Sequence, residues 1–197
     1  MRVFLLLTVL CLLVSSPARA EIEAYAVDLP HTQVLFSVGH LGFSHSHGRF
    51  RDIKGGFEFN RSEPEKSKIN VTIQTASVDM ADKSWNDAVM GEDYFDVNKY
   101  PAMTFVSRNI TLTGEKTAQI TGDLTLLGAT KPVILDVTFN KADKHPFSGK
   151  YVAGFSAHAS INRSDFGMTS GVPWVSDRVD IIVEVEGIRK GKGTENE

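Results

Sequence analysis

Apolar and polar residues alternate one for one along most of the chain from residue 34 onward. The alternation is cleanest near the C-terminus, where Val179, Ile181, Val183 and Val185 interleave with Asp180, Ile182, Glu184 and Glu186. Successive strand side chains point to opposite faces, so this segment predicts a strand with one buried side. Ile69, Val71 and Ile73 against Lys68, Asn70 and Thr72 predict another. Val133, Leu135, Val137 and Phe139 against Ile134, Asp136, Thr138 and Asn140 predict a third. Shorter copies fall at Val34, Phe36 and Val38, at Phe57 and Phe59, at Met103 and Phe105, at Leu124 and Leu126, and over 151–161. The total is about eight to ten strands joined by short polar turns. One buried face per strand predicts antiparallel pairing, and so many strands predict a sandwich or a closed barrel. Several run to about nine residues or more, which suits the tilted staves of a barrel.

The β pattern lapses over 77–101. Trp85, Ala88 and Val89 recur there at helical spacing, with Asp82 or Ser84 placed to cap the start, so a short helix is expected near 82–90. The N-terminus carries a different signal. Arg2, an apolar run over 3–14, a break at Ser15, Ser16 and Pro17, and Ala18-Arg19-Ala20 predict a secretory signal peptide over 1–20. The domain is then expected over 21–189, with a Gly-rich, charged and flexible tail over 190–197. No later segment is long and apolar enough to span a membrane as a helix. Cys11 is the only cysteine and lies in the leader, so thiolate chemistry and disulfides are not expected after cleavage. Losing Arg2 and Arg19 takes the net charge from -3 to -5. That acidity and the lack of a basic stripe exclude a nucleic-acid partner.

The sizes of the inward residues are uneven. Ala153, Phe155, Ala157 and Ala159 share one face of a strand, while other inward faces carry Phe36, Phe57, Phe59, Phe105 and Phe139. Small residues opposite rings either interdigitate tightly or leave a ring-lined cavity for an apolar ligand.

Catalytic chemistry finds no set of residues. There is no G-x-S-x-G elbow, and Ser156 and His158 merely share a strand face. His40, His45 and His47 cluster in sequence, and the last two could chelate a metal from one strand face. They flank glycines in what reads as a hairpin tip, whereas His40 continues the apolar phase of Val34, Phe36 and Val38. At the end of a strong strand, Arg163 beside Asp165 and Phe166 could pin the barrel end through a carboxylate or donate to a polar headgroup. No catalysis, no cofactor and no metal are expected.

Five motifs in order are similar to the YceI-like family of polyisoprenoid-binding periplasmic proteins. They are Val34-Leu35-Phe36-Ser37-Val38-Gly39-His40-Leu41-Gly42; Gly48-Arg49-Phe50 with Gly55-Gly56-Phe57; and Tyr94-Phe95-Asp96-Val97 with Tyr100-Pro101-Ala102-Met103-Thr104-Phe105. Thr121-Gly122-Asp123-Leu124-Thr125-Leu126-Leu127-Gly128 with Thr130-Lys131-Pro132-Val133 follows, then Ile161-Asn162-Arg163-Ser164-Asp165-Phe166-Gly167. The resemblance implies an all-β, lipocalin-like antiparallel barrel of about eight strands with one short helix. It implies a periplasmic, stress-linked binder or carrier of an isoprenoid lipid, either a polyprenyl phosphate or a quinone-like molecule. The family's helix usually reads Arg-Asp-x-His-Leu, but here the run is Asn86-Asp87-Ala88-Val89-Met90. An amide and a valine replace the cation and the imidazole, so a less charged lipid end is expected.

The expected ligand-binding residues are Phe36, Val38, His40, Phe57, Phe59, Trp85 and Asp87. Phe95, Phe105, Phe155, Ala157, Arg163, Asp165 and Phe166 complete the set. Two alternatives stay open: a metal-binding stress protein using His40, His45 and His47, or a packed barrel acting through protein partners. Pairing as a homodimer is also left open.

Overall fold

In the computed structural model, residues 22–191 are described. The expected signal peptide over 1–20 and the tail residues 192–197 lie outside them. Among the described residues no helix is long and apolar enough to cross a membrane. The chain runs β1 (Ile22–Val27), β2 (Gln33–His40), β3 (Ser44–Phe50), β4 (Ile53–Asn60), β5 (Lys68–Gln74) and β6 (Val78–Asp79). A helix, α1 (Lys83–Met90), precedes β7 (Ala102–Leu112), β8 (Thr117–Leu126), β9 (Ala129–Lys144), β10 (Tyr151–Asn162) and β11 (Val175–Arg189). All pairings are antiparallel and close an eight-staved barrel with one helix.

Eleven strands make eight staves because three staves are broken. A 3-10 turn at Leu29–His31, carrying Pro30, separates β1 from β2. Residues 51 and 52 separate β3 from β4, and a turn at Thr75–Ser77 separates β5 from β6. The last two breaks face each other and stay bonded: Arg51 N–H donates to Ser77 O at 3.1 Å, and Gln74 N–H donates to Asp52 O at 3.0 Å. The first break is strapped to the neighbouring stave by Asp28 N–H donating to Glu186 O at 2.8 Å. These backbone bonds carry the wall across each break.

β11 closes the wall. One edge pairs with β10 from Val152↔Ile188 to Asn162↔Arg178. Its other edge pairs with β2 and then, past the break, with β1 through Tyr25↔Arg189, Ala26↔Ile188 and Val27↔Gly187. Four connections collect at one end, here termed the lid end: residues 41–43, 80–101, 127–128 and 163–174. α1 sits in the second of these. Its N-cap is Asp82, whose carboxylate accepts from Trp85 N–H at 3.1 Å, as the spacing predicted.

The inward face packs large rings against glycines on the wall. A Cβ at Gly48 would lie 2.3 Å from the Phe36 ring, and one at Gly187 would lie 2.5 Å from the Phe57 ring. Only a hydrogen at these positions lets the rings approach the neighbouring strand this closely. Gly48→Val should therefore drive Phe36 into the lumen and lower stability by about 1–3 kcal/mol. Chemical denaturation should show Phe36→Ala recovering most of that loss in the double variant.

Candidate functional site

The barrel encloses a cavity of about 630 Å³, within the usual size of small-molecule sites. Its wall is built from the inward rows of the staves, among them Val34, Phe36 and Val38 on β2, Ile181 and Val183 on β11, and Leu135 and Val137 on β9. Two aromatic groups shape it. Phe36, Phe50 and Phe95 lean together with ring centroids 5.4–6.4 Å apart. Phe57, Phe59, Phe139 and Phe155 meet at 5.2–5.4 Å on the side away from the lid. Such tilted and edge-on contacts are the favoured ring geometries. Phe95 comes from the connection after α1, where its N–H donates to Val89 O at 3.0 Å. The lining also reaches Arg61, Ser67, Glu115 and Lys116 at the end opposite the lid.

Eleven of the fourteen expected ligand residues line this cavity: Phe36, Val38, His40, Phe57, Phe59, Trp85, Phe95, Phe105, Phe155, Ala157 and Arg163. Three do not. Asp87 turns away on α1, where it pairs with Lys83 at 2.5 Å. Asp165 is exposed, because the short turn at Arg163–Phe166 points it outward. Phe166 is buried in the core around that turn rather than in the lumen wall. Asn86 is occupied too, since its Oδ1 accepts from Met80 N–H at 2.6 Å.

Arg163 was expected to pair with a carboxylate or to meet a headgroup. Instead it is 3% exposed and donates to three backbone carbonyls: Ser176 at 2.9 Å, Met168 at 3.0 Å and Val175 at 2.9 Å. Burial pulls its pKa down, against the nearby Asp177 charge, and the guanidinium stays protonated at neutral pH. Its work is to staple the 163–174 connection over the barrel end. Asp177 secures the same connection by accepting from Ser164 N–H at 2.9 Å and from its hydroxyl at 2.7 Å.

The three histidines do not converge. His40 lines the lumen, whereas His45 and His47 are exposed on the outer face of β3. They lie in a strand rather than at a hairpin tip, because the turn is at 41–43. Strand alternation puts Ser46, Gly48 and Phe50 inward and the two imidazoles outward. Among the described residues one mixed cluster places ligand atoms within 4.8 Å, Asp28, His31 and Glu186, at the break between β1 and β2.

Sequence reasoning missed Tyr94 and Ser46, which line the lid end of the cavity beside His40. Their hydroxyls and the His40 imidazole form no hydrogen bond with a described residue. The phase of Phe50, read backwards through Gly48, was the signal that would have turned Ser46 inward.

The sequence profile of the YceI-like domain matches residues 25–187. The chain belongs to the YceI-like family. It is 41% identical over 177 residues to the UPF0312 protein of Pseudomonas savastanoi pv. phaseolicola, covering 89% of this chain and 91% of that protein. Among solved structures, Burkholderia cenocepacia BcnA superposes with a TM-score of 0.74 at 29% identity, over 81% of this chain and 98% of that one. The Campylobacter jejuni YceI protein gives 0.71 at 31% identity, over 78% and 90%. A domain from Saccharophagus degradans, described as polyisoprenoid binding, shares the fold with a TM-score of 0.64 at 13% identity, over 85% and 99%.

Replacing the staple tests its role. Arg163→Met should strand buried carbonyls of residues 168, 175 and 176 and lower stability by on the order of 3 kcal/mol. The midpoint of urea unfolding should fall at an unchanged m-value.

Proposed function

We propose that this protein is a periplasmic, non-enzymatic binding or carrier barrel for a long-chain isoprenoid lipid. The observation that carries the reading is the apolar cavity of about 630 Å³ inside a closed wall. The family membership and the polyisoprenoid-binding description of the Saccharophagus degradans domain support the same ligand class. The leader-like N-terminus supports export. Burying each methylene of a chain is worth about 0.8 kcal/mol, so a five-carbon isoprene unit contributes about 4 kcal/mol before the chain's ordering cost.

Polar groups line the lumen at both ends, Arg61, Ser67, Glu115 and Lys116 at the far end and a smaller set at the lid end. His40, Ser46 and Tyr94 offer an imidazole and two hydroxyls there, whereas the Arg163 donors are engaged with carbonyls and Asp87 faces out. A head with one or two neutral oxygens, a prenol hydroxyl or a quinone carbonyl, matches those groups better than a pyrophosphate. A head held by these lid-end groups sits under α1, with the tail running down the barrel.

Native mass spectrometry of the protein purified from its own host, followed by organic extraction, should find one lipid of defined mass. A bare protein mass that persists after incubation with prenols, polyprenyl phosphates and quinones would overturn the reading. Retention of pyrophosphate-headed lipids alone would overturn the neutral head. Ala157 is 5% exposed on the lumen wall, so Ala157→Trp should fill the cavity. Lipid retention should drop to background while the far-UV circular dichroism of the barrel is preserved.

A further inference from the structure

Exposed apolar side chains gather at the lid end from three separate connections. Leu41 and Phe43 sit on the turn between β2 and β3, Val172 and Trp174 on the connection between β10 and β11, and Trp85 on α1. Phe43 is 89% exposed and Trp174 is 71% exposed. They form one rim. Leu41 N–H donates to Trp174 O at 2.7 Å, Val175 pairs with His40, and the His40 and Trp85 rings lie 5.6 Å apart. Single exposed apolar residues are ordinary, but a gathered group with aromatic tips marks an interaction surface.

The charge pattern narrows the partner. No Asp, Glu, Lys or Arg occurs over 32–48 or over 167–176, in a chain that is 23% charged. The 80–101 connection carries charge instead, with Asp82, Asp87, Glu92, Asp93 and Asp96 outnumbering Lys83 and Lys99, and Asp165 sits at the start of the 163–174 connection. The acidic flank repels an anionic surface, and the uncharged aromatic tip itself offers a basic one no ion pair at the point of contact. It matches the neutral headgroup layer of a bilayer, where tryptophan and phenylalanine sit favourably. The rim is also continuous with the lumen, because His40, Trp85 and Val175 line the cavity as well.

We propose that the 41–43 turn and the 172–174 loop insert into the uncharged interface of a lipid bilayer. This seats the mouth of the barrel on the membrane, so that a chain ligand passes between bilayer and lumen without crossing water. The proposal rests on the reading of the cavity as a lipid site, and the two are separable by experiment.

Both tryptophans of the chain, Trp85 and Trp174, lie on this rim, so intrinsic fluorescence reports docking. With phosphatidylcholine vesicles the protein should co-sediment and its emission should shift to the blue. Both effects should survive about 1 M salt, where the screening length is about 3 Å. Phe43→Ser should weaken vesicle affinity at least about tenfold, with unfolding unchanged and with loading of a solvent-delivered prenol unchanged by native mass spectrometry. Leu41→Ser serves as a second variant should Phe43→Ser fold poorly. Docking is overturned if neutral vesicles produce neither effect, if binding needs anionic lipid and disappears in salt, or if Phe43→Ser binds as the parent does. A dimer in sedimentation velocity that Phe43→Ser splits, with no vesicle binding, would assign the rim to a second copy instead. A protein that loads delivered prenol but ignores vesicles loses the docking proposal alone. One that docks yet never loads supports docking and overturns the lipid cavity.

Discussion

Closure of the hydrogen-bonded wall through β11 is the constraint on which the remaining structure depends. β11 pairs with β10 along one edge and with β2 and β1 along the other. Every stave is paired to a neighbour on both sides, so the ladder runs round the whole wall and its hydrogen bonds do not depend on what fills the interior. A sandwich holds its two sheets together only by filling the space between them. A closed barrel can leave that space empty and keep its shape.

The breaks in three staves follow from the same closure. Each break falls where the chain is still tied to a neighbouring stave, so the strand changes course there without opening the wall. At the lid end the tying is done by charge as well. Arg49 and Arg51 donate to Asp79 at 3.2 Å and 2.9 Å. The Asp79 carboxyl is held down at about 2, chiefly by the Ala81 N–H and then by these two guanidiniums. The two-residue strand that leads into α1 is thereby fixed to β3, so the helix stands at a defined place over the lumen.

Much of this was legible from the residues. β5, β9 and β11 alternate cleanly because one face of each meets water, and α1 announced itself through Asp82 and the spacing of Trp85, Ala88 and Val89. β3 was not legible as a strand. Of its inward residues, Ser46 is polar and Gly48 is bare because the Phe36 ring and the Met80 sulfur already occupy the volume beside it, so the usual apolar signal is missing. The lumen wall was readable for the same reason as the strands, since period two names the inward set. Asp87 and Asp165 were misplaced because a helix and a short turn allow more directions than a strand does. The commitment of Arg163 to carbonyls depends on a folded loop whose shape no local pattern encodes.

The lining of the cavity reaches residues at both rims, from His40 and Trp85 to Arg61 and Lys116. A blind cup would measure its cargo by length, because a chain that was too long would strike a floor. A sleeve lined from rim to rim measures girth: the rings of Phe36, Phe95, Phe57 and Phe155 gauge the width of whatever threads past them.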